Sequence, residues 1–339
     1  MKKMINLIKK IFPGLFPSIH IVWGFSYDIY KFLRTATDFS PENNKQKLVA
    51  LLTRQYHGVE KALTLPNPRL GFGKTLIPAL VQNTSTYYSK FGYDALVQTV
   101  LDNLNEYLFY NSNYNDASFQ QIKNSIENLL DEVEEYKSAN NQKVGGRILI
   151  SKTDWLKKTA FDFKSFSASR MSTRDFSKEK VNKKLLKEAI LIAMKSPSAC
   201  NRQPWRVRIF KEEKKEHILK FQNGNRGFAE TIDTILLITG LTSSFSYSER
   251  HEAWIDGGLF SMSLIYALHS LGLGVCALNT SYTVKGEKAL RNAISLPLDE
   301  EPIMMLAVGH LKEKFWVTKS NRKALKEVLI DDSHLLRPY

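Results

Sequence analysis

The sequence predicts an α+β protein in which an all-helical part precedes a domain that combines strands with helices. Between residues 26 and 140 the apolar residues recur at helical spacing. From about residue 160, short apolar runs of strand length alternate with helical patterns. We therefore expect a helical domain over residues 1–150 and a second domain over residues 160–339.

Three amphipathic helices are predicted in the first domain, over residues 48–63, 96–108 and 122–133. Asp116 and Ser118 are suitable caps for the last of them. Asn-rich segments at 111–116 and 139–142 separate or end the helical patterns.

In the second domain, residues 182–195 form the first helical pattern, and the alternating segment 205–210 predicts the first strand. The remaining predicted elements are the buried strands 233–240, 273–279 and 303–309 and the helices 253–271 and 284–294.

The formal net charge is +14 and the pI is about 9.5, a balance that favours anionic partners such as phosphate-bearing cofactors, nucleic acid or membrane surfaces. We expect no nucleic-acid binding, because there is no helix-turn-helix, zinc-finger or RNP-type signature. Cys200 and Cys276 are the two cysteines and form no CxxC motif, so we expect reduced thiols, no metal site and a cytoplasmic protein.

The N-terminal residues 1–25 combine basic and apolar residues, with lysines at positions 2, 3, 9 and 10. Lys9 and Lys10 interrupt the apolar run and prolines break its later part, which argues against a secretory signal. Two interpretations remain: a basic amphipathic segment at the inner face of a membrane, or an ordinary helix that packs on the body.

The second domain contains three motifs, one after another along the chain. The segment RMSTRDF (170–176) sets two arginines around a serine, so that Arg170, Ser172 and Arg174 project from one side of an extended chain. Such a set suits a phosphate dianion. The loop SPSACNRQPW (196–205) and the stretch DGGLFSMSLIYALHSLGLG (256–274) come next.

These motifs together resemble the nitroreductase superfamily of flavin mononucleotide (FMN) enzymes over roughly residues 160–330. The resemblance implies a mixed sheet flanked by helices and a homodimer with FMN at its interface. It also implies that flavin N5 carries hydride from NADH or NADPH to an acceptor, with no catalytic residue of fixed identity. A flavin-binding module without turnover, or a dehydrogenase acting on a polysaccharide or peptide precursor, are the alternatives.

By the same resemblance, the cofactor contacts come from the arginine–serine–arginine motif, the proline-rich loop, the backbone after the Gly-Leu-Gly turn and a basic residue near the C-terminus. The predicted cofactor-binding residues are Arg170, Ser172, Arg174, Pro197, Ser198, Asn201, Gln203, Cys276, Ala277, Leu278 and Arg322. Cys276 is expected to act through its backbone, as a small buried residue.

The stretch HGVEKALTLPNPRLGFGK (57–74) resembles an extension found in a nitroreductase subset associated with bacterial surface-polysaccharide gene clusters. His57 and Glu60 lie one helical turn apart. They are either metal or substrate ligands, or a buried or capping polar pair. The GFGKT sequence in this region is no Walker A loop, because Pro68 stands where the first glycine is needed.

Overall fold

The computed structural model describes residues 15–37, 41, 44–65, 68–138, 143–149, 161–315, 317, 324–325 and 328–329. Its first part is helical. The helices are α1 (Leu15–Thr35), α2 (Lys45–Leu63), α3 (Leu76–Phe91), α4 (Ala95–Tyr110), α5 (Ala117–Glu132) and the short α6 (Glu134–Ser138). Side chains of Asn44, Asp94 and Asp116 accept amide hydrogen bonds at the starts of α2, α4 and α5, as N-caps do.

Helices α2 to α5 enclose one hydrophobic core. Its members include Leu52, Val59, Leu101 and Ile126, all with no exposed surface, at the positions that the periodicity predicts. Each such side chain contributes about 1.5–3 kcal/mol of burial free energy. The helical domain therefore has a core of its own.

Helix α1 packs on the second domain. The Lys31 ammonium lies 2.8 Å from carboxylate oxygens of Glu287 and Glu301. The hydroxyls of Thr35 and Thr242 are 2.7 Å apart. These contacts come after the segment 1–25, whose described residues 18–20, 22, 23 and 25 are exposed, and residues 1–14 lie outside the described part. Both interpretations of that segment therefore stay predictions.

The second domain contains α7 (Phe163–Ser169), α8 (Lys183–Ala193), β1 (Trp205–Lys211), α9 (Glu212–Leu219), β2 (Thr234–Leu241), α10 (Glu252–Ser270), β3 (Leu273–Leu278), α11 (Val284–Ile294) and β4 (Glu300–His310). Together with the helical region before it, this arrangement confirms the predicted α+β class.

The sheet has the order β1-β2-β4-β3, and each neighbouring pair runs antiparallel. This differs from the predicted mixed sheet. In the described residues, parallel pairing is limited to an isolated bridge between Ser172 and Val275. The difference arises because β4 lies between β2 and β3 in the sheet and runs antiparallel to both.

Helix α10 covers one face of this sheet, with α8 packed beside it. Phe260, Leu264 and Leu268 of α10 are fully buried. Trp205 stacks on Phe260 with ring centroids 4.8 Å apart. Trp205 therefore belongs to the core at the start of β1. None of the helices in the described part of the chain is both long and apolar enough to cross a bilayer.

Candidate functional site

The arginine–serine–arginine segment lies along the outer edge of β3. Ser172 forms its bridge with Val275, and the Thr173 amide donates to the Val275 carbonyl at 3.0 Å. Gly274 makes this approach possible, because a Cβ there would lie 2.8 Å from Leu311 Cδ2 and 3.1 Å from the Thr173 side chain. The Gly-Leu-Gly turn thus serves the close packing of two site segments.

Arg170, Ser172 and Arg174 present an uncompensated positive surface. Across the described residues, neither guanidinium is ion-paired with a carboxylate, and the Arg174 side chain is exposed. The neighbouring Asp175 instead binds Lys312, with the charged atoms 2.6 Å apart. Two guanidiniums and a hydroxyl with free donors can hold a phosphate group.

His269 borders the Arg170 end of this surface. The hydroxyl of Ser169 lies 2.8 Å from His269 Nε2, and the Phe166 ring stacks near the imidazole at 5.0 Å. Burial, reinforced by the charge of Arg170, lowers the pKa of His269. The imidazole is therefore kept neutral beside the arginines.

The register of β3 decides which backbone groups face outwards. The Val275 carbonyl points away from β4, because it accepts from Thr173. In an antiparallel strand every second residue shares this direction, so the peptide groups of Ala277 also point outwards. Those of Cys276 and Leu278 point towards β4. Among the three predicted backbone contacts, Ala277 is the one with peptide groups directed outwards from the sheet.

The Cys276 side chain lies in the core, with 2% of its surface exposed. Burial raises the pKa of its thiol, although the nearby charge of Arg174 opposes this rise. A thiol in this state is a poor nucleophile. Its placement agrees with the expectation of a small buried residue.

The proline-rich loop 196–205 has a strained backbone. Cys200, Asn201 and Gln203 adopt left-handed φ values of 49°, 54° and 48°. Such conformations cost on the order of 1–3 kcal/mol each and persist only when the surroundings hold them. The Ser198 hydroxyl accepts from the Gln203 amide at 3.0 Å and closes the loop. Asn201 and Pro197 are both exposed.

Three residues that the sequence interpretation missed hold this loop. Asp256, at the start of α10, accepts the Ala199 amide at 3.1 Å. The buried Arg202 guanidinium binds Glu249 through two hydrogen bonds, of 2.5 and 2.9 Å. Arg202 lies inside the quoted loop and Asp256 begins the quoted DGG motif, so polar residues within both motifs were the available signal.

The surroundings of Asp256 and Glu249 shift the pKa values of these two acids in opposite directions. Burial raises the pKa of Asp256 to about 6. The hydrogen bonds from Arg202 lower the pKa of Glu249 to about 2. The loop is thus held by one carboxylate that burial disfavours and another that an arginine stabilises.

The two groups of predicted site residues are held apart within one chain. The loop is fixed to Asp256 near the start of α10, whereas Arg170 neighbours His269 near its end. Thirteen residues separate these anchors, which is about 20 Å along a helix axis. The structure brings Arg170, Ser172 and Arg174 to β3, and the loop residues form a second cluster. Arg322 lies outside the described residues.

Helix α2 of the helical domain packs against residues 199–201 and 242–244. The helical domain therefore borders the loop cluster directly. Behind it, Tyr107 donates to the Phe72 carbonyl and the Gly71 amide donates to Asn111, both at 2.8 Å. These bonds fix the glycine-containing part of the 57–74 stretch to α4.

His57 and Glu60 form a polar cluster inside the helical domain. His57 Nδ1 lies 3.4 Å from the Glu60 carboxylate, which also accepts from the Asn103 amide at 3.0 Å. Among the described residues, no group of three His, Cys, Asp or Glu side chains is placed to hold a metal ion. The geometry is that of a half-buried polar pair.

Comparison with known proteins assigns the second domain. Residues 168–225 and 211–310 match the model of the Nitroreductase family. No curated protein matches the chain.

Several solved structures are similar to part of the chain. One is a nitroreductase family protein from Streptococcus pneumoniae TIGR4, with 20% identity, a TM-score of 0.44, and coverage of 50% of this chain and 100% of that chain. Another, described as a nitroreductase in complex with FMN, comes from Desulfovibrio desulfuricans, with 20% identity, a TM-score of 0.45, and coverage of 51% and 98%. A nitroreductase-like protein from Streptococcus mutans has 22% identity, a TM-score of 0.43, and coverage of 50% and 98%.

The family match confirms the resemblance expected for the second domain and its class, an oxidoreductase, and it supports the predicted cofactors. Residues 168–310 of this chain form a nitroreductase family domain.

Proposed function

We propose that the protein is an FMN-dependent oxidoreductase that takes hydride from NADH or NADPH. The observation that carries the proposal is the unpaired arginine–serine–arginine surface on the edge of β3, inside the matched family domain. The flavin supplies the redox chemistry when bound, because its N5 atom carries the hydride between donor and acceptor.

The residues present fit an FMN molecule. Arg170, Ser172 and Arg174 bind its phosphate, since their donors are not used by acidic groups of the described chain. The outward peptide groups of Ala277 hydrogen-bond the polar edge of the ring. Asn201 and Gln203, presented by the strained loop, add directional contacts.

The site is completed by a second copy of the chain. The loop cluster of this second copy contacts the FMN bound to the first copy. The first copy's own loop cluster lies about 20 Å away along α10. A surface for this homodimer is available on α10, which exposes one apolar face, and on the adjoining α8. The exposed side chains are Trp254, Ile255, Leu259 and Met262 on α10 and Leu191, Ile192 and Met194 on or next to α8.

The helical domain selects the acceptor, a small molecule or glycan intermediate of surface-polysaccharide biosynthesis. Two observations support this part of the proposal: the resemblance of residues 57–74, and the packing of α2 against the loop at 199–201. Turnover of the reduced enzyme with nucleotide-linked or lipid-linked sugars, compared with quinones and nitroaromatics, tests it. Faster oxidation by quinones alone would contradict the glycan assignment.

We also place the enzyme in the cytoplasm. Both described cysteines are free thiols, which supports a reducing compartment. Fractionation of the producing cell tests this placement, and recovery of the protein in an oxidising compartment would contradict it.

The absorption spectrum of the purified protein, recorded before and after anaerobic addition of NADPH or NADH, tests the enzymatic proposal. A flavin band that bleaches is the expected result. A band that persists would replace the proposal with a flavin module without nicotinamide turnover, or with a dehydrogenase reduced by its own substrate. Absence of a band after addition of FMN would overturn the assigned site.

A further inference from the structure

Helix α1 exposes an apolar face to solvent. Seven of its large apolar side chains are between 47% and 66% exposed. At 100° per residue they fall within one arc of about 160°, in which the other positions from residue 18 onwards are Ser18 and Ser26. The seven are Ile19, Val22, Trp23, Phe25, Ile29, Tyr30 and Leu33.

The opposite face of α1 is fixed to the body. Lys31, with 3% of its side chain exposed, is bound by Glu287 and Glu301, and Thr35 contacts Thr242. Turning the apolar face inwards would break this buried ion-pair network. Breaking such a network is strongly destabilising, because it leaves buried charges without partners. The face is therefore held outwards by the fold.

Positive charges lie along one edge of this face. Arg34 lies 5.2 Å from the Tyr30 ring, and Lys288 lies 4.9 Å from the Tyr27 ring. Lys285 is exposed on the adjoining helix α11. In the sequence, lysines 2, 3, 9 and 10 come shortly before α1. An apolar strip with a basic edge complements an anionic lipid surface.

We propose that α1 binds an anionic phospholipid bilayer, with its apolar face in the boundary between headgroups and acyl chains. Trp23 and Tyr30 suit this boundary, because their rings combine an apolar body with a polar group. Packing of two α1 faces in a dimer is disfavoured, since it would bring Arg34, Lys285 and Lys288 of both copies together. The proposal is independent of the proposed chemistry.

Flotation of the full-length protein with vesicles tests the proposal. We expect capture by vesicles containing phosphatidylglycerol, weak capture by phosphatidylcholine alone, and loss of capture at high salt. The double substitution Val22→Glu and Ile29→Glu should lower the partition coefficient at least tenfold, because each apolar side chain lost from the boundary contributes about tenfold or more. Phe109→Glu is the matched control, since Phe109 is an exposed apolar residue on α4.

Three results would overturn the proposal. The first is equal capture of the double variant and the Phe109→Glu control. The second is that vesicles do not capture the wild type, while the double variant sediments as a smaller species than the wild type. This result would mean that a second copy of the chain covers the face. The third is capture that depends on lysines 2, 3, 9 and 10 but not on Val22 and Ile29. Flavin content and circular dichroism, read on the same samples, separate these results from misfolding and from failure of the enzymatic proposal.

Discussion

At the scale of single residues, the candidate site depends on charges that the chain itself leaves unpaired. Arg174 is exposed and is assigned to the FMN phosphate. Hydrogen bonds to charged groups contribute about 1.5–3 kcal/mol. Arg174→Ala should therefore weaken FMN binding about ten- to a hundredfold, measured by fluorescence titration of the apoprotein.

The control for this substitution is Arg226→Ala, which removes another exposed arginine, in the loop before β2. Its FMN affinity should equal that of the wild type. Equal losses in both variants would mean that net positive charge alone attracts the cofactor.

The raised pKa of Asp256 predicts an unusual pH dependence of the free energy of unfolding. Its pKa is raised by burial from 3.8 in the unfolded chain to about 6 in the folded protein. The folded state therefore binds the proton more tightly, and the free energy of unfolding falls as pH rises from about 4 to about 6. Asp256→Asn should flatten this part of the profile, measured by urea unfolding at several pH values.

Glu249 has the opposite effect on the pH dependence of stability. Its pKa is lowered from 4.5 to about 2 by Arg202, so its contribution is present above pH 4.5 and is lost as pH falls towards 2. Glu249→Gln should remove the acid-side loss and leave most of the decline between pH 4 and pH 6 in place, because burial is the main cause of the raised Asp256 pKa and the charge of Glu249 a minor one. A decline that survives in Asp256→Asn would show that another group causes it.

At the scale of secondary-structure elements, the packing of segment 170–177 on β3 depends on Gly274. In Gly274→Ala the new methyl group would contact Leu311 and Thr173 at 2.8–3.1 Å. The Leu311 side chain can move aside, whereas Thr173 must give by a few tenths of an ångström, so FMN binding should weaken while the protein remains folded. Calorimetric titration with FMN measures this change.

Gly24→Ala is the matched glycine control, because a Cβ at Gly24 would meet nothing within 4 Å. Its FMN affinity should not change, and its stability should rise slightly, since alanine favours helix. Unchanged FMN affinity in Gly274→Ala would contradict the assigned role of the close approach.

Periodicity predicted most elements because apolar faces determine where they are buried. Helix 284–294 is found at Val284–Ile294, and strand 233–240 at Thr234–Leu241. Strand β4 begins earlier than predicted, at Glu300, because Glu300 and Glu301 enter the sheet as buried ion pairs with Arg208 and Arg291. Helix α9 was missed because it buries little beyond Ile218 and Leu219.

The site was predictable in its motifs but not in its spatial arrangement. Residue order placed Arg170, Ser172 and Arg174 in one extended segment, and the structure finds that segment beside Val275. Which peptide groups of β3 face outwards depends on strand register, which sequence spacing does not determine. The supports Asp256 and Glu249 depend on tertiary contacts with the loop.

At the scale of the whole molecule, the central claim is that two copies of the chain build each flavin site. One copy supplies the arginine–serine–arginine segment, and the other supplies the loop around Asn201. The distance along α10 between the two clusters of one chain is the basis for this claim. The exposed apolar face of α10 provides a surface for the association.

Co-expression of two differently tagged defective chains, Arg170→Ala and Asn201→Ala, tests this claim directly. Each homodimer should lose bound FMN, whereas the purified heterodimer should regain one intact site, seen as about half the wild-type flavin band and as bleaching by NADPH or NADH. A heterodimer of Arg170→Ala with Ser172→Ala is the control and should regain none. A first heterodimer as empty as the control would contradict the account, because it would place all site residues within one chain.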